Sequence, residues 1–234
     1  MRRFILFSIC TVFIYLVTVG QGAAQDTEES IVVYGEYPVR EELGENAFPP
    51  REQAQTEPLI DYAVGSGYED RALIEALHFL NANVYGYSFV YKPGSRLLEN
   101  EEVFNIVLRG ELKPDWVQPV ADGVRNNVYR IKIELPITPS MQRWTAAFAS
   151  NQLRLQDAEG NSDFYTGWEG RSDAYREALR NLVLVSAQKQ LSSKPLLIEG
   201  DILLKGNPTF NVGAGRHYCR IEGYVKIIQV VTYD

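Results

Sequence analysis

The chain has 234 residues, 45% of them hydrophobic and 23% charged, with a formal net charge of −7. That length suits one large domain or two small ones. An acidic chain without a lysine-rich tract lacks the electrostatic footprint of a nucleic-acid binder, so that class of partner is excluded.

Residues 1–24 read as an export signal. Arg2 and Arg3 are the basic start, Phe4 to Val19 the apolar stretch, and Gly22-Ala23-Ala24 the small-residue cleavage site. Cleavage after Ala24 leaves a chain starting at Gln25 with a charge of −9, since Arg2 and Arg3 are removed from a total of −7. The other reading of this stretch is an uncleaved anchor helix. Leu6 to Cys10, LFSIC, has the outline of a lipobox, but the apolar run continues through Val19. After the signal no apolar run is long enough to span a bilayer. The mature protein is therefore expected not to be integral to a membrane. Cys10 leaves with the signal, so Cys219 is a lone thiol, expected buried in a strand.

Ser30–Val39 predicts a strand ended by Pro38. Arg40 to Pro58 is an acidic linker with Pro49, Pro50 and Pro58. Gly65-Ser66-Gly67 breaks the chain, and Ser66 with Glu69 has capping-box spacing before a helix that runs to about Asn83. Tyr85, Tyr87, Phe89 and Tyr91 alternate along a following strand and so share one face. Val103–Leu112 is a strand and Lys113–Asn127 a long loop. Val128–Ile137 is the clearest strand: Tyr129, Ile131, Ile133 and Leu135 alternate with Arg130, Lys132 and Glu134. Thr138-Pro139 starts a helix, Thr as N-cap and Pro at its first position. Leu153–Gln156 and Phe164–Trp168 predict a hairpin around Asp157–Asp163. A helix from Ser172 to about Leu191 follows. Pro195–Leu204 and Arg216–Val231 are the last strands, separated by a loop over Gly206–Gly215.

One short helix occurs twice. Shifting DRALIEALHFL (Asp70–Leu80) by 102 residues onto SDAYREALRNL (Ser172–Leu182) makes Ala72, Glu75, Ala76, Leu77 and Leu80 coincide with Ala174, Glu177, Ala178, Leu179 and Leu182. The Ala, Ala, Leu series recurs every four residues and forms one narrow face. Tyr129-Arg130-Ile131 recurs as Tyr218-Cys219-Arg220-Ile221, at an offset of 89 to 90. The expected fold is α+β: a duplicated helix-plus-antiparallel-sheet unit with the helices on one sheet face. The expected division is signal peptide (1–24), strand and linker (25–65), first unit (66–138), and second unit with a helix and hairpin insertion (139–234).

Chemistry-bearing residues are sparse. His217 and Cys219 share a strand face, as a Cys–His nucleophile pair would, but no orienting acid or nucleophile-elbow sequence is adjacent. As metal ligands they have only His78 for company, too few histidines for a zinc site. Asp157, Glu159, Asn161 and Asp163 alternate like a calcium loop, yet Gly160 comes too early and Trp168 stands at the closing glutamate position. Gly213-Ala214-Gly215 lacks the third glycine of a dinucleotide loop. No catalytic residue, metal or cofactor is therefore expected. The aromatic stripe Tyr85, Tyr87, Phe89, Tyr91 has two readings: a core face under the first helix, or a wet face contacting a ligand or partner.

Ala72, Ala76 and Leu80, then Val84-Tyr85-Gly86, Phe104…Gly110 and Tyr129–Leu135, resemble the FlgP-type envelope lipoproteins of Gram-negative bacteria, with Gln25 where the lipidated cysteine would stand. The resemblance implies a helix on an antiparallel sheet and a structural role in envelope or flagellum-associated assemblies. Ile31–Glu36 and Ser172–Gln190 are similar to the first strand and late helix of SIMPL-domain periplasmic proteins. The expectation is an exported, periplasmic or outer-envelope protein with a structural or assembly role. Its partner would be an envelope protein or a second copy. The alternative is a periplasmic module binding a glycan or small ligand through the aromatic stripe.

Overall fold

The computed structural model describes residues 29–39, 58–62, 66–95, 100–112, 114–149, 153–191 and 195–232. The predicted signal segment and nearly all of the predicted linker lie outside them. The elements are β1 (Ser30–Pro38), α1 (Tyr68–Val84), β2 (Tyr87–Lys92), β3 (Val103–Leu108), β4 (Gln118–Arg125), β5 (Val128–Pro136), α2 (Pro139–Phe148), β6 (Gln156–Asp163), α3 (Gly170–Gln190), β7 (Leu197–Leu204), β8 (Thr209–Gly213) and β9 (Arg216–Val231). The fold is α+β, with helices packed on two antiparallel sheets. One sheet has the order β1-β5-β4; the other has the order β3-β2-β7-β9-β6, with β8 also paired to β9.

The duplication is real and reaches further than the helix. In the first copy α1 lies on β1 and β5; in the second α3 lies on β6 and β9. Each helix crosses its edge strand at a glycine. A Cβ on Gly35 would stand 1.9 Å from the Ala72 carbonyl oxygen and 2.7 Å from the Ala76 nitrogen; on Gly160 it would stand 2.3 Å from the Ala174 oxygen and 2.1 Å from the Ala178 nitrogen. The repeated alanines thus bring helix backbone onto strand backbone. Both copies close with a two-residue hairpin whose central residues have positive φ: Asn126 (52°) and Asn127 (62°) in one, Ala214 (49°) and Gly215 (72°) in the other. This is the hairpin turn that matches strand twist. Gly35 pairs with Ile131 and Gly160 with Cys219. The sheet offset is therefore 88, and Ile131 corresponds to Cys219, where the sequence pattern suggested 89 to 90.

The copies are interleaved rather than consecutive. β2 pairs with β7, so a strand from the expected first unit is built into the sheet of the second. The division at residue 138 is not a structural boundary. Helix α1 is held between the two sheets: its alanines lie on β1, while Phe79 stacks on Phe210 of β8 at a centroid distance of 5.9 Å.

Several local expectations change. Thr209–Gly213, inside the stretch read as a loop, is strand β8, paired to β9. Gln118–Arg125, read as loop, is an edge strand. Its Pro119 and a bulge between Ala121 and Gly123 hid the pattern, and both are tolerated only where one side of the ladder is free. Gln156–Asp163, read as a polar turn, is a strand: Ala158 and Gly160 face α3, and the polar residues between them face water. Phe164–Glu169 is a 3₁₀ segment rather than a strand. The first helix begins at Tyr68 with Gly67 as its N-cap and no side-chain cap; the Asp70 carboxylate instead accepts from the Ser66 backbone N–H. The Thr138 cap holds, its Oγ accepting from the Met141 N–H at 3.2 Å.

Ala72, Ala76, Leu80, Ala174, Ala178 and Leu182 are all fully buried, facing a sheet side that holds Ile131, Ile133 and Leu135 in the first copy. Truncating Leu80 or Leu182 to alanine should each cost about 2–5 kcal/mol in urea unfolding, the range for a buried leucine whose site cannot collapse.

Candidate functional site

The aromatic stripe belongs to the core. Tyr87, Phe89 and Tyr91 are 0%, 2% and 5% exposed on β2, and Tyr85 precedes that strand as the half-buried C-cap of α1, against Gly110. A ligand or partner has no access to this face, which corrects the wet reading. β2 is flanked by β3 and β7, so its inward side chains sit under the helical layer.

Where α1 approaches α3, a polar cluster is enclosed. Glu75, beside the face the alanines define, is fully buried. Its Oε1 accepts from the Tyr62 hydroxyl at 2.8 Å and from Arg171 Nε at 3.3 Å, and its Oε2 from the Glu36 backbone N–H at 2.6 Å. Arg171 also reaches Glu36 Oε2 at 3.2 Å, and its guanidinium is sandwiched between the rings of Trp168 (4.5 Å) and Phe210 (3.9 Å). Burial raises the Glu75 carboxyl above its ordinary range; Arg171 and the hydrogen bonds pull the other way without cancelling it. Every polar atom of the Glu75 carboxylate is thus used inside the protein.

One turn along, the Tyr87 hydroxyl lies 2.8 Å from both His78 Nε2 and the Tyr175 hydroxyl. Burial lowers His78 to about 4. Between pH 6.5 and about 4 the unfolded chain binds a proton at His78 that the folded chain does not. Stability should therefore fall as pH is lowered through that window, by about 3 kcal/mol at most. Denaturant midpoints at pH 7 and pH 5 should differ more for the wild type than for His78→Gln.

Cys219 is buried, and burial pushes its thiol up, so it offers no thiolate for nucleophilic work. His217 has its Nε2 at 2.9 Å from the Gly167 carbonyl oxygen. Asp157 and Glu159 lie on the outer face of β6, where Asp157 pairs with Arg220 at 3.1 Å. Among the described residues no three His, Cys, Asp or Glu side chains are grouped to hold a metal ion. Two shallow surface recesses lie at the hairpins, each with charged lining residues. One is lined by Glu36, Asp122, Arg125 and Arg130 at the β4–β5 hairpin; the other, by Asn161, Asp163 and Arg216, is its repeat counterpart at the β8–β9 hairpin.

Large apolar side chains stand on the outside of edge strands. Val103 and Val107 are exposed on β3, Trp116 just before β4, and Val120 and Val124 on β4. The sequence reading missed both Glu75 and this surface. Glu75 was visible as one of the five repeated helix positions. The β4 surface lay in a stretch read as loop.

A family model, whose description names no activity, matches residues 23–233. The chain belongs to that family. A relative from Treponema pallidum (strain Nichols), described as an uncharacterized protein, is 25% identical over 157 residues, covering 66% of this chain and 66% of its own. The chain therefore spans just under two thirds of that relative's length. No solved structure matches. No helix among the described residues is long and apolar enough to cross a membrane.

Proposed function

We propose that this is an exported, non-catalytic protein that helps to build or brace an assembly in the cell envelope. The observation that carries the reading is the distribution of its side chains. The buried Glu75 and Arg171 spend their bonds on one another, on Tyr62, on Glu36 and on the backbone, and the half-buried His78 meets the Tyr87 hydroxyl, while Val107, Val120 and Val124 are left in solvent on edge strands and Trp116 just before one. Exposed apolar groups on unpaired strand edges are what protein contacts use. The export signal read from residues 1–24 supports the location, and the family match takes up the chain at residue 23, overlapping that segment by only two residues. The resemblance to FlgP-type envelope proteins supports the role.

Two measurements test it. N-terminal sequencing of the protein from a fractionated cell should return a periplasmic or envelope species starting at Gln25. Light scattering of the purified chain, with cross-linking in intact cells, should show a self-assembly or a defined envelope partner. A cytosolic, strictly monomeric protein without cross-linked partners would end the proposal.

A further inference from the structure

The duplicated units present the same groove twice, and the described residues fill only one of the two. Ala121 of β4 lies opposite Ile131 as Phe210 of β8 lies opposite Cys219, and Val124 lies opposite Tyr129 as Val212 lies opposite His217. Directly opposed residues share a sheet face, so these positions border the helix of their own unit. In the second unit the space between α3 and β8 is occupied by α1. Phe79 stacks on Phe210 at 5.9 Å and meets Tyr175 edge-on at 5.2 Å, while Glu75 pairs with Arg171. In the first unit no described residue fills the equivalent space between α1 and β4. Ala121 is exposed there, where its counterpart Phe210 is half-buried, and Trp116 is 59% exposed on the approach to the strand; Val124 and Val212 are exposed alike, at the rim of each groove.

We propose that the α1–β4 groove is a docking site for a helix of another protein, which lies beside α1 as α1 lies beside α3. This rests on the reading of the protein as an assembly component. The filled groove states what the guest helix must carry. Ala121 replaces Phe210, leaving room for a large apolar or aromatic side chain where α1 carries Phe79. At the helix position of Arg171 the first unit has the exposed Glu69, which accepts from the Tyr68 hydroxyl and lies close to Tyr129, whose phenol is raised by burial and then by the Glu69 charge. The guest therefore carries a basic residue where α1 carries Glu75, one turn before the aromatic. A second copy of this chain does not supply such a helix from its described residues: the exposed positions of α2 are Pro139, Ser140, Gln142, Arg143, Thr145, Ala146 and Ala147, with no large apolar group among them.

The probe is a synthetic peptide of residues 68–84 carrying Glu75→Arg, titrated into the full chain by calorimetry. It should bind at least tenfold tighter than the unmodified 68–84 peptide. Ala121→Asp in the protein should abolish binding, and Val212→Asp, on the counterpart strand of the second unit, should leave it unchanged. Glu69→Lys should reverse the preference in favour of the unmodified peptide. Absence of binding by both peptides overturns the proposal, as does binding that ignores Ala121→Asp or Glu69→Lys. If the peptides fail while the chain still cross-links to an envelope partner, the groove is wrong and the assembly role stands.

Discussion

Gly160→Ala is expected to destabilise the protein by about 3 kcal/mol or more, and Gly35→Ala by a similar amount. An added methyl at Gly160 would stand 2.1 Å from the Ala178 nitrogen and 2.3 Å from the Ala174 oxygen; at Gly35 it would stand 1.9 Å from the Ala72 oxygen. These are backbone atoms, so no rotamer change relieves the clash. The helix must lift from its strand, and the fully buried Leu80 or Leu182 loses contact with the sheet. Overpacking a core usually costs 1–3 kcal/mol, and a rigid neighbour puts these sites at the top of that range or above it. Gly67→Ala is the control: a methyl there meets nothing within 4 Å and should cost less than about 1 kcal/mol as an N-cap change. Urea unfolding of the three variants checks the order.

Arg171→Ala should cost about 3–5 kcal/mol, because it strands the fully buried Glu75 carboxylate without its counter-charge. Adding Glu75→Gln should recover much of that loss, since the amide oxygen still accepts from Tyr62 and no charge is left buried. The two substitutions share one network and should be clearly non-additive in a double-mutant cycle. In the wild type the raised Glu75 carboxyl has a definite sign. Its contribution to stability is fully present below about pH 4.5, the ordinary carboxyl value, and is lost as pH rises through the folded value. Glu75→Gln should remove that component of the pH profile.

How much of this was legible in the sequence differs from element to element. The repeated Ala, Ala, Leu face was, because a helix that meets backbone leaves a four-residue rhythm of small side chains. The alternation of Ile131, Ile133 and Leu135 was, because one face is dry and one wet. β4 and β6 were not. Both are edge strands, and an edge strand has no need of a second apolar face, so Pro119 and the polar residues of Gln156–Asp163 read as loop and turn. Gly35 and Gly160 carry no periodic signal of their own; their meaning lies in the helix that crosses them. The Glu75–Arg171 pairing joins residues 96 apart and is invisible to any local pattern. The aromatic stripe was legible as one face, with a core reading and a wet reading both open, since alternation alone does not say what lies above it.

The pairing of β2 with β7 also bears on how the chain can reach its native state. Tyr87 and Ile202 are opposite each other in the sheet yet lie more than a hundred residues apart along the chain, and β7 itself is completed by the last strand, β9. Such pairings have high contact order, and their loop-closure entropy must be met before any contact is gained. As the chain emerges N-terminus first, β2 therefore has its inner edge open until residues near the C-terminus appear. The early part cannot settle into a finished half. Completion of that sheet is deferred until the C-terminal strands have been made.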